Sequence, residues 1–284
     1  MKIAIASGKG GTGKTFVSVN LAYSLEKNVK LLDCDVEEPN SNIFLKGDFI
    51  SKQQSSLLVP KLINDLCDGC RICQNVCQFN AIVVLAKKAM VFEDLCHACG
   101  FCTLACPQKA LYEVEHRIGE VFHFQKGAIE LIEGRLDVGK ALAVPLIRDV
   151  KSNIKLNETV IIDSPPGTSC PMVWAVQESD LVILVAESTP FGLHDFKLAL
   201  ESVNEMKIPC AVIINKDGLG DNRLEKYCQN ENIKILGKIP YDRKIATSYS
   251  HGAILVKEDK FYDQQFKQIW KEIENFIKEA SFEK

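Results

Sequence analysis

Two groups of residues in this chain have types and spacings that could do chemistry: a doubled run of thiols and a lysine in a glycine-rich loop. Cys67, Cys70, Cys73 and Cys77 read C-x2-C-x2-C-x3-C, and the spacing returns twenty-nine residues later at Cys96, Cys99, Cys102 and Cys106. Three cysteines placed three residues apart can wrap one face of a compact iron–sulfur cube, while the fourth lies too far along the chain to complete that cube easily. A pair of zinc sites is the alternative, although zinc favours four thiolates as two separated C-x2-C knuckles. The duplication extends to Ala81 and Ile82, which return as Ala110 and Leu111. The loop SGKGGTGKT, residues 7–15, fits G-x-x-x-x-G-K-[ST] at Gly8, Gly13, Lys14 and Thr15. Gly10, Gly11 and Gly13 let backbone N–H groups close around phosphate oxygens. Lys14 is placed to reach the β and γ phosphates, and the Thr15 hydroxyl to bind Mg²⁺. A bare glycine turn between strand and helix is the alternative reading.

These residues need a frame. Apolar runs at Ile3–Ala6, VKLLDCD, TVIIDSPPG, LVILVAE and CAVIINK read as buried strands. Segments with helical spacing, such as residues 16–25 and 196–206, alternate with them. The pattern predicts an α/β fold with a mostly parallel sheet covered by helices on both faces. The alternation breaks between about Val59 and Tyr112, where the cysteines crowd, so a small α+β domain is expected as an insertion. The predicted division is 1–59 and 113–284 for the two parts of the nucleotide-binding domain and 60–112 for the insert. Residues 118–144 read as a hairpin-rich return to the sheet.

The chain has 284 residues, 46% hydrophobic and 25% charged, with a net charge of -3. That balance gives no footprint for nucleic acid. No signal peptide and no bilayer-length apolar run are visible, so a cytoplasmic protein is expected. In a reducing compartment, twelve cysteines point to metal or chemistry before disulfides. Of the four outside the repeat, Cys34 and Cys210 read as strand filler and Cys228 as a helix residue; Cys170, just after DSPPGTS, has no spacing to support a role. His194 is given no catalytic part.

The cysteine segment closely resembles the two-cluster bacterial ferredoxins. That resemblance implies one [4Fe–4S] cluster on Cys67, Cys70, Cys73 and Cys106, and a second on Cys77, Cys96, Cys99 and Cys102. Pro107 follows Cys106 as in that pattern, but Gln78 follows Cys77. The rest of the chain resembles the MinD/ParA/Mrp superfamily of deviant Walker A P-loop ATPases, whose loop reads KGGxGKT. The resemblance implies ATP or ADP contacts along the loop from Gly8 to Thr15, Thr12 included. It implies that Lys9 reaches a dimer partner's nucleotide, though a solvated loop lysine is its bland reading. LLDCDVEEPN resembles the second strand end of the family, which gives Asp35 the role of orienting the attacking water and Asp33 a structural one. VIIDSPPGT looks like a Walker B strand, so Asp163 is expected to hold Mg²⁺ and Gly167 to sit in a switch loop. Asn215, and Pro240 with Tyr241, fall where the family reads and flanks the adenine.

Tyr262, Phe266, Ile269, Ile273 and Phe276 recur at helical spacing above a polar face of mixed sign, which predicts packing on the sheet and not a membrane helix. Together these expectations describe an ATP-hydrolysing iron–sulfur protein. ATP-dependent dimerisation, with itself or a related ATPase, would gate electron transfer to a redox protein partner. An iron–sulfur carrier or scaffold and a positioning ATPase with structural or sensing clusters are the alternatives.

Overall fold

The computed structural model describes residues 1–282. Its strands are β1 (Lys2–Ala6), β2 (Val29–Asp33), β3 (Asp48–Leu62), β4 (Ile82–Leu85), β5 (Lys88–Val91), β6 (Leu111–Lys126), β7 (Ile129–Leu136), β8 (Val160–Asp163), β9 (Leu181–Glu187), β10 (Cys210–Asp217) and β11 (Ile235–Pro240). Its helices are α1 (Lys14–Ser24), α2 (Ser41–Leu45), α3 (Ile72–Val76), α4 (Phe101–Ala105), α5 (Ala143–Lys151), α6 (Cys170–Val176), α7 (Pro190–Glu205), α8 (Arg223–Asn230), α9 (Arg243–Ser250), α10 (Leu255–Glu258) and α11 (Lys260–Phe282).

The main sheet has nine strands in the order β11-β10-β9-β1-β8-β2-β7-β6-β3. From β11 to β7 every pairing is parallel, and β6 and β3 then add antiparallel. Alternate residues feed two cores. Ile3 and Ile5 face one with α1, α2, α10 and α11; Ala4 and Ala6 face the other with α5, α6, α7 and α8. Near-continuous apolar strands follow from burial on both faces. Helix α11 buries Tyr262, Phe266, Ile269 and Ile273 in the first core, as its apolar stripe requires. Among the described residues no helix is long and apolar enough to cross a membrane.

The return segment does form a hairpin, β6–β7, but it does more than close the sheet. Ser55 pairs with Gly119 and Gly119 with Leu136 at the carboxyl end of β7. Beyond that level β3 and β6 continue as a two-stranded ribbon, ending at the pair Leu62 and Leu111. At ~3.3 Å per residue, residues 56–62 carry the ribbon roughly 20 Å past the sheet. The segment from Val36 to Pro60 holds α2 and most of β3. Residues 48–54 of β3 are all exposed, so this edge strand is held by its backbone ladder and lacks an apolar alternation.

The ribbon carries the cysteine segment. There α3, the β4–β5 hairpin and α4 are linked by 3-10 turns at Asn64–Leu66 and Glu93–Leu95. The duplication holds in the backbone. Arg71 and Gly100, at matching positions, both adopt left-handed angles (φ 65° and 70°), as do Asn80 and Lys109 (φ 53° and 49°). Pro60 and Tyr112 lie within the last rungs of the ribbon.

Candidate functional site

The carboxyl ends of the parallel strands converge on one cavity of about 340 Å³. Such an edge is where ligands sit in open α/β sheets. Gly10, Gly11, Gly13, Lys14, Thr15, Asp35, Asn215, Pro240 and Tyr241 all line it, so the structure brings most of the sequence-derived set together. The loop is locked from behind. A Cβ on Gly8 would lie 2.0 Å from the Asp195 carbonyl oxygen. Gly13 has φ of 95°, and a Cβ there would lie 2.3 Å from Asn215 Nδ2. No side chain caps α1, which leaves its first N–H groups for an anion. Lys14 is buried, and among the described residues no carboxylate stands within ion-pair distance of its ammonium. A desolvated lysine of this kind suits a phosphate.

Three carboxylates stand in register at this edge: Asp163 on β8, Asp33 on β2 and Glu133 on β7. All three are buried. Asp163 Oδ1 accepts from the Ser18 hydroxyl at 3.1 Å, while Oδ2 has no hydrogen-bond partner. Burial pushes the Asp163 carboxyl up to about 6, partly offset by the nearby Thr15 hydroxyl and Lys14 ammonium. An orphaned, buried carboxylate oxygen beside a threonine hydroxyl fits Mg²⁺, so Thr15 and Asp163 are the residues that would hold it. Burial, then the charge of Asp163, pushes Asp33 well above the carboxylate range. Asp33 also accepts the backbone N–H groups of Asp35, Asn40 and Ser41 at 2.9–3.1 Å, so it shapes the loop that presents Asp35. Asp35 is half-buried and pushed up to about 6 by burial, against the pull of Lys14. Gly167, at φ 90°, donates its N–H to the Ser7 carbonyl, which ties the Pro165–Gly167 turn to the phosphate loop.

The structure holds Lys9 within its own chain. Its ammonium lies 3.3 Å from Glu187 and 3.8 Å from Asp195. Glu187 also accepts from Lys216, whose ammonium reaches the Gly11 carbonyl at 3.0 Å. Burial pushes Glu187 up, but the two ammonium groups outweigh it and hold its carboxyl below the usual range. Asn215 Nδ2 donates to the Thr12 carbonyl at 2.7 Å, and its Oδ1 accepts from the Lys216 N–H. One of its amide hydrogens thus braces the loop. Sequence reasoning missed Glu187, Lys216, Phe16, Ile245 and Tyr249. The first two end strands β9 and β10, where position alone could have found them; the last two come from α9, which has no motif. Cys170 is exposed at the start of α6.

The eight repeat cysteines fall into two sets. Cys67, Cys70, Cys73 and Cys106 line one small cavity with Leu62, Val84, Pro107 and Leu111. Cys77, Cys96, Cys99 and Cys102 line a second with Pro60, Phe79, Ile82 and His97. Each cavity takes three cysteines from one repeat and the fourth from the other. Backbone N–H groups point at sulfur: Ala81 to Cys77 at 3.3 Å, Ala110 to Cys106 at 3.3 Å and Ala98 to Cys96 at 3.4 Å. Burial pushes the thiols of Cys73, Cys96 and Cys102 up. Among the described residues, no three His, Cys, Asp or Glu side chains form a group suited to a single metal ion. The all-thiolate donor sets and N–H···S contacts fit an iron–sulfur cluster at each cavity.

Comparison with known proteins agrees with this geometry. An uncharacterised protein of Methanocaldococcus jannaschii, MJ0578, is 32% identical over 98% of both chains. A protein of Pyrococcus horikoshii named iron-sulfur cluster carrier protein is 27% identical, covering 98% of this chain and 87% of its own. Among solved structures, the septum site-determining protein MinD of Pyrococcus horikoshii, complexed with Mg-ADP, superposes with a TM-score of 0.61. It is 19% identical and covers 96% of this chain and 95% of its own. The family described as the CobQ/CobB/MinD/ParA nucleotide-binding domain matches residues 3–256. With a phosphate loop, three registered carboxylates and a parallel sheet in that arrangement, the chain belongs to the CobQ/CobB/MinD/ParA family of nucleotide-binding proteins.

Proposed function

We propose that the chain binds and hydrolyses ATP to gate electron transfer through two [4Fe–4S] clusters to a redox protein. The observation that carries this reading is the placement of two crossed four-cysteine cavities on a ribbon rooted at the nucleotide edge. Clusters held there would supply one-electron carriers. The chain's own residues would do the rest. Lys14 neutralises the β and γ phosphates, Thr15 and Asp163 hold Mg²⁺, and Asp35 orients the attacking water. Pro240, Tyr241 and Asn215 bound the base. Release of Lys9 from Glu187 frees it for the nucleotide of a second copy or a related ATPase.

A second reading is delivery of clusters instead of electrons. The name of the Pyrococcus relative favours it. Exposed Cys70 and Cys99, one at each cavity, are compatible with it, whereas the burial of Cys73, Cys96 and Cys102 favours retained clusters. Anaerobic purification with iron quantitation tests both readings at once. About eight iron atoms per chain are expected, with EPR of two interacting reduced clusters. Stoichiometric zinc without iron after reconstitution overturns both. Rapid cluster transfer to an apo acceptor, with no effect of nucleotide on electron transfer rates, selects the second.

A further inference from the structure

The two cysteine sites are related by an internal repeat, yet among the described residues only one of them is tied to the nucleotide-binding body by side-chain hydrogen bonds. Lys140 lies in the loop between β7 and α5. Its ammonium donates to Asp94 Oδ1 at 2.6 Å and to His116 Nε2 at 2.7 Å. His116 Nδ1 in turn stands 2.8 Å from Glu93. His116 Nε2 also stands 3.2 Å from Asp94 Oδ1, so the ammonium, the imidazole and the two carboxylates form one cluster. Glu93 and Asp94 form the 3-10 turn that enters Cys96, and the Cys96 N–H donates to the Glu93 carbonyl at 3.1 Å. The matching turn before Cys67 carries Asn64 and Asp65, and among the described residues neither bonds to the body.

The other end of this connection reaches the nucleotide loop. Lys140 donates its N–H to the Asp137 carbonyl at 3.1 Å. Asp137 is gripped by Arg117 of β6 through two bonds of 2.7 and 3.0 Å, and its N–H donates to the Ile118 carbonyl at 2.9 Å. Leu136 donates its N–H to the Val36 carbonyl at 2.8 Å. Val36 is buried and directly follows Asp35. A movement of the Asp35 loop therefore has a bonded route to the Cys96 turn that bypasses the ribbon.

We propose that Lys140 and His116 are positioning residues that couple the nucleotide state to the Cys77/Cys96/Cys99/Cys102 site alone. The proposal rests on the gating reading above and adds which site responds and through which side chains.

The test compares the full chain, purified anaerobically, in its ADP and ATP states. Hydrogen exchange is followed over residues 92–100 and over the matching residues 63–71, and the midpoint potential of each cluster is titrated. In the parent, nucleotide exchange is expected to change exchange rates over 92–100, and one potential, while leaving 63–71 and the other potential unmoved. Lys140→Met and His116→Gln are expected to abolish that difference while retaining iron content and nucleotide binding. Asp94→Asn attacks the same contact from the other side should Lys140→Met fold poorly, and Asp65→Asn is the silent control. An equal response of both repeats overturns the proposal, as does a response that survives in the variants or one absent from the parent. The gating reading fails separately, if iron is absent or ATP is not bound.

Discussion

Replacing Asp163 with Asn should make the nucleotide-free protein more stable. The carboxylate is fully buried and one of its oxygens has no partner. Its pKa is pushed from 3.8 to about 6, and this already includes the attraction of Lys14. At about 1.4 kcal/mol per pH unit, the ionised group costs about 3 kcal/mol at pH 8. The sign follows from proton binding. The native state holds the proton more tightly, so this group favours folding below pH 3.8, and that contribution is lost as pH rises through about 6. Asparagine keeps the shape without the charge, so the gain should be about 3 kcal/mol at pH 8 and roughly half that at pH 5. For a chain of this size, the pH 8 gain corresponds to a rise in Tm of roughly 6 °C. Thermal unfolding of parent and variant at the two pH values, without nucleotide, measures it. Adding Mg²⁺ and ATP should then stabilise the parent more than the variant, since binding to the native state raises Tm and the variant lacks one cation ligand. A variant that unfolds at or below the parent's temperature at pH 8 would refute the reading of Asp163 as a buried, unpartnered carboxylate suited to a cation.

Other substitutions probe separate parts. Lys14→Ala should weaken ATP binding by at least about a hundredfold in calorimetry, since a desolvated charge-assisted contact to phosphate is worth roughly 3 kcal/mol; unchanged affinity would locate the nucleotide elsewhere. Asp35→Ala should retain ATP binding but slow phosphate release, with normal turnover reassigning the water-orienting role. Glu187→Gln should loosen Lys9 and lower the protein concentration needed for ATP-driven dimerisation, by up to about tenfold in sedimentation. An unaltered dimer constant there would mean that the cis contact restrains nothing. Cys106→Ser should remove about half the iron and spare the cavity lined by Cys96, whereas uniform loss from both sites would contradict the crossed grouping.

The parts of the site legible in the sequence are those that local spacing determines. A loop that must bend around phosphate needs Gly8 and Gly13 where they stand, and a cluster needs thiols at intervals that one short helix can present. The buried strands were legible for a related reason, since burial on both faces leaves an unbroken apolar run. Strand β3 was not: residues 48–54 are exposed, and their place depends on a backbone ladder with β6 that no side chain announces. Tyr249 was missed because it reaches the cavity from α9 by tertiary packing alone, more than two hundred residues from the phosphate loop. The in-chain grip on Lys9 was invisible for the same reason, since Asp195 and Glu187 are distant from Lys9 in sequence and come beside it only once β1 lies next to β9.

The ribbon's last rung has an evolutionary and engineering consequence. Leu62 faces Leu111, and Ile63 donates its N–H to the Ala110 carbonyl, so the excursion departs and re-enters at neighbouring points. Closing such a detour is set by the ladder already present, and lengthening it adds little chain entropy. A tight two-residue turn joining Leu62 to Leu111 would leave an ordinary hairpin and preserve the strand order of the main sheet. The thiol-bearing segment therefore leaves and returns at one place, and inserting, exchanging or deleting it would leave the strand order of the nucleotide-binding body unchanged.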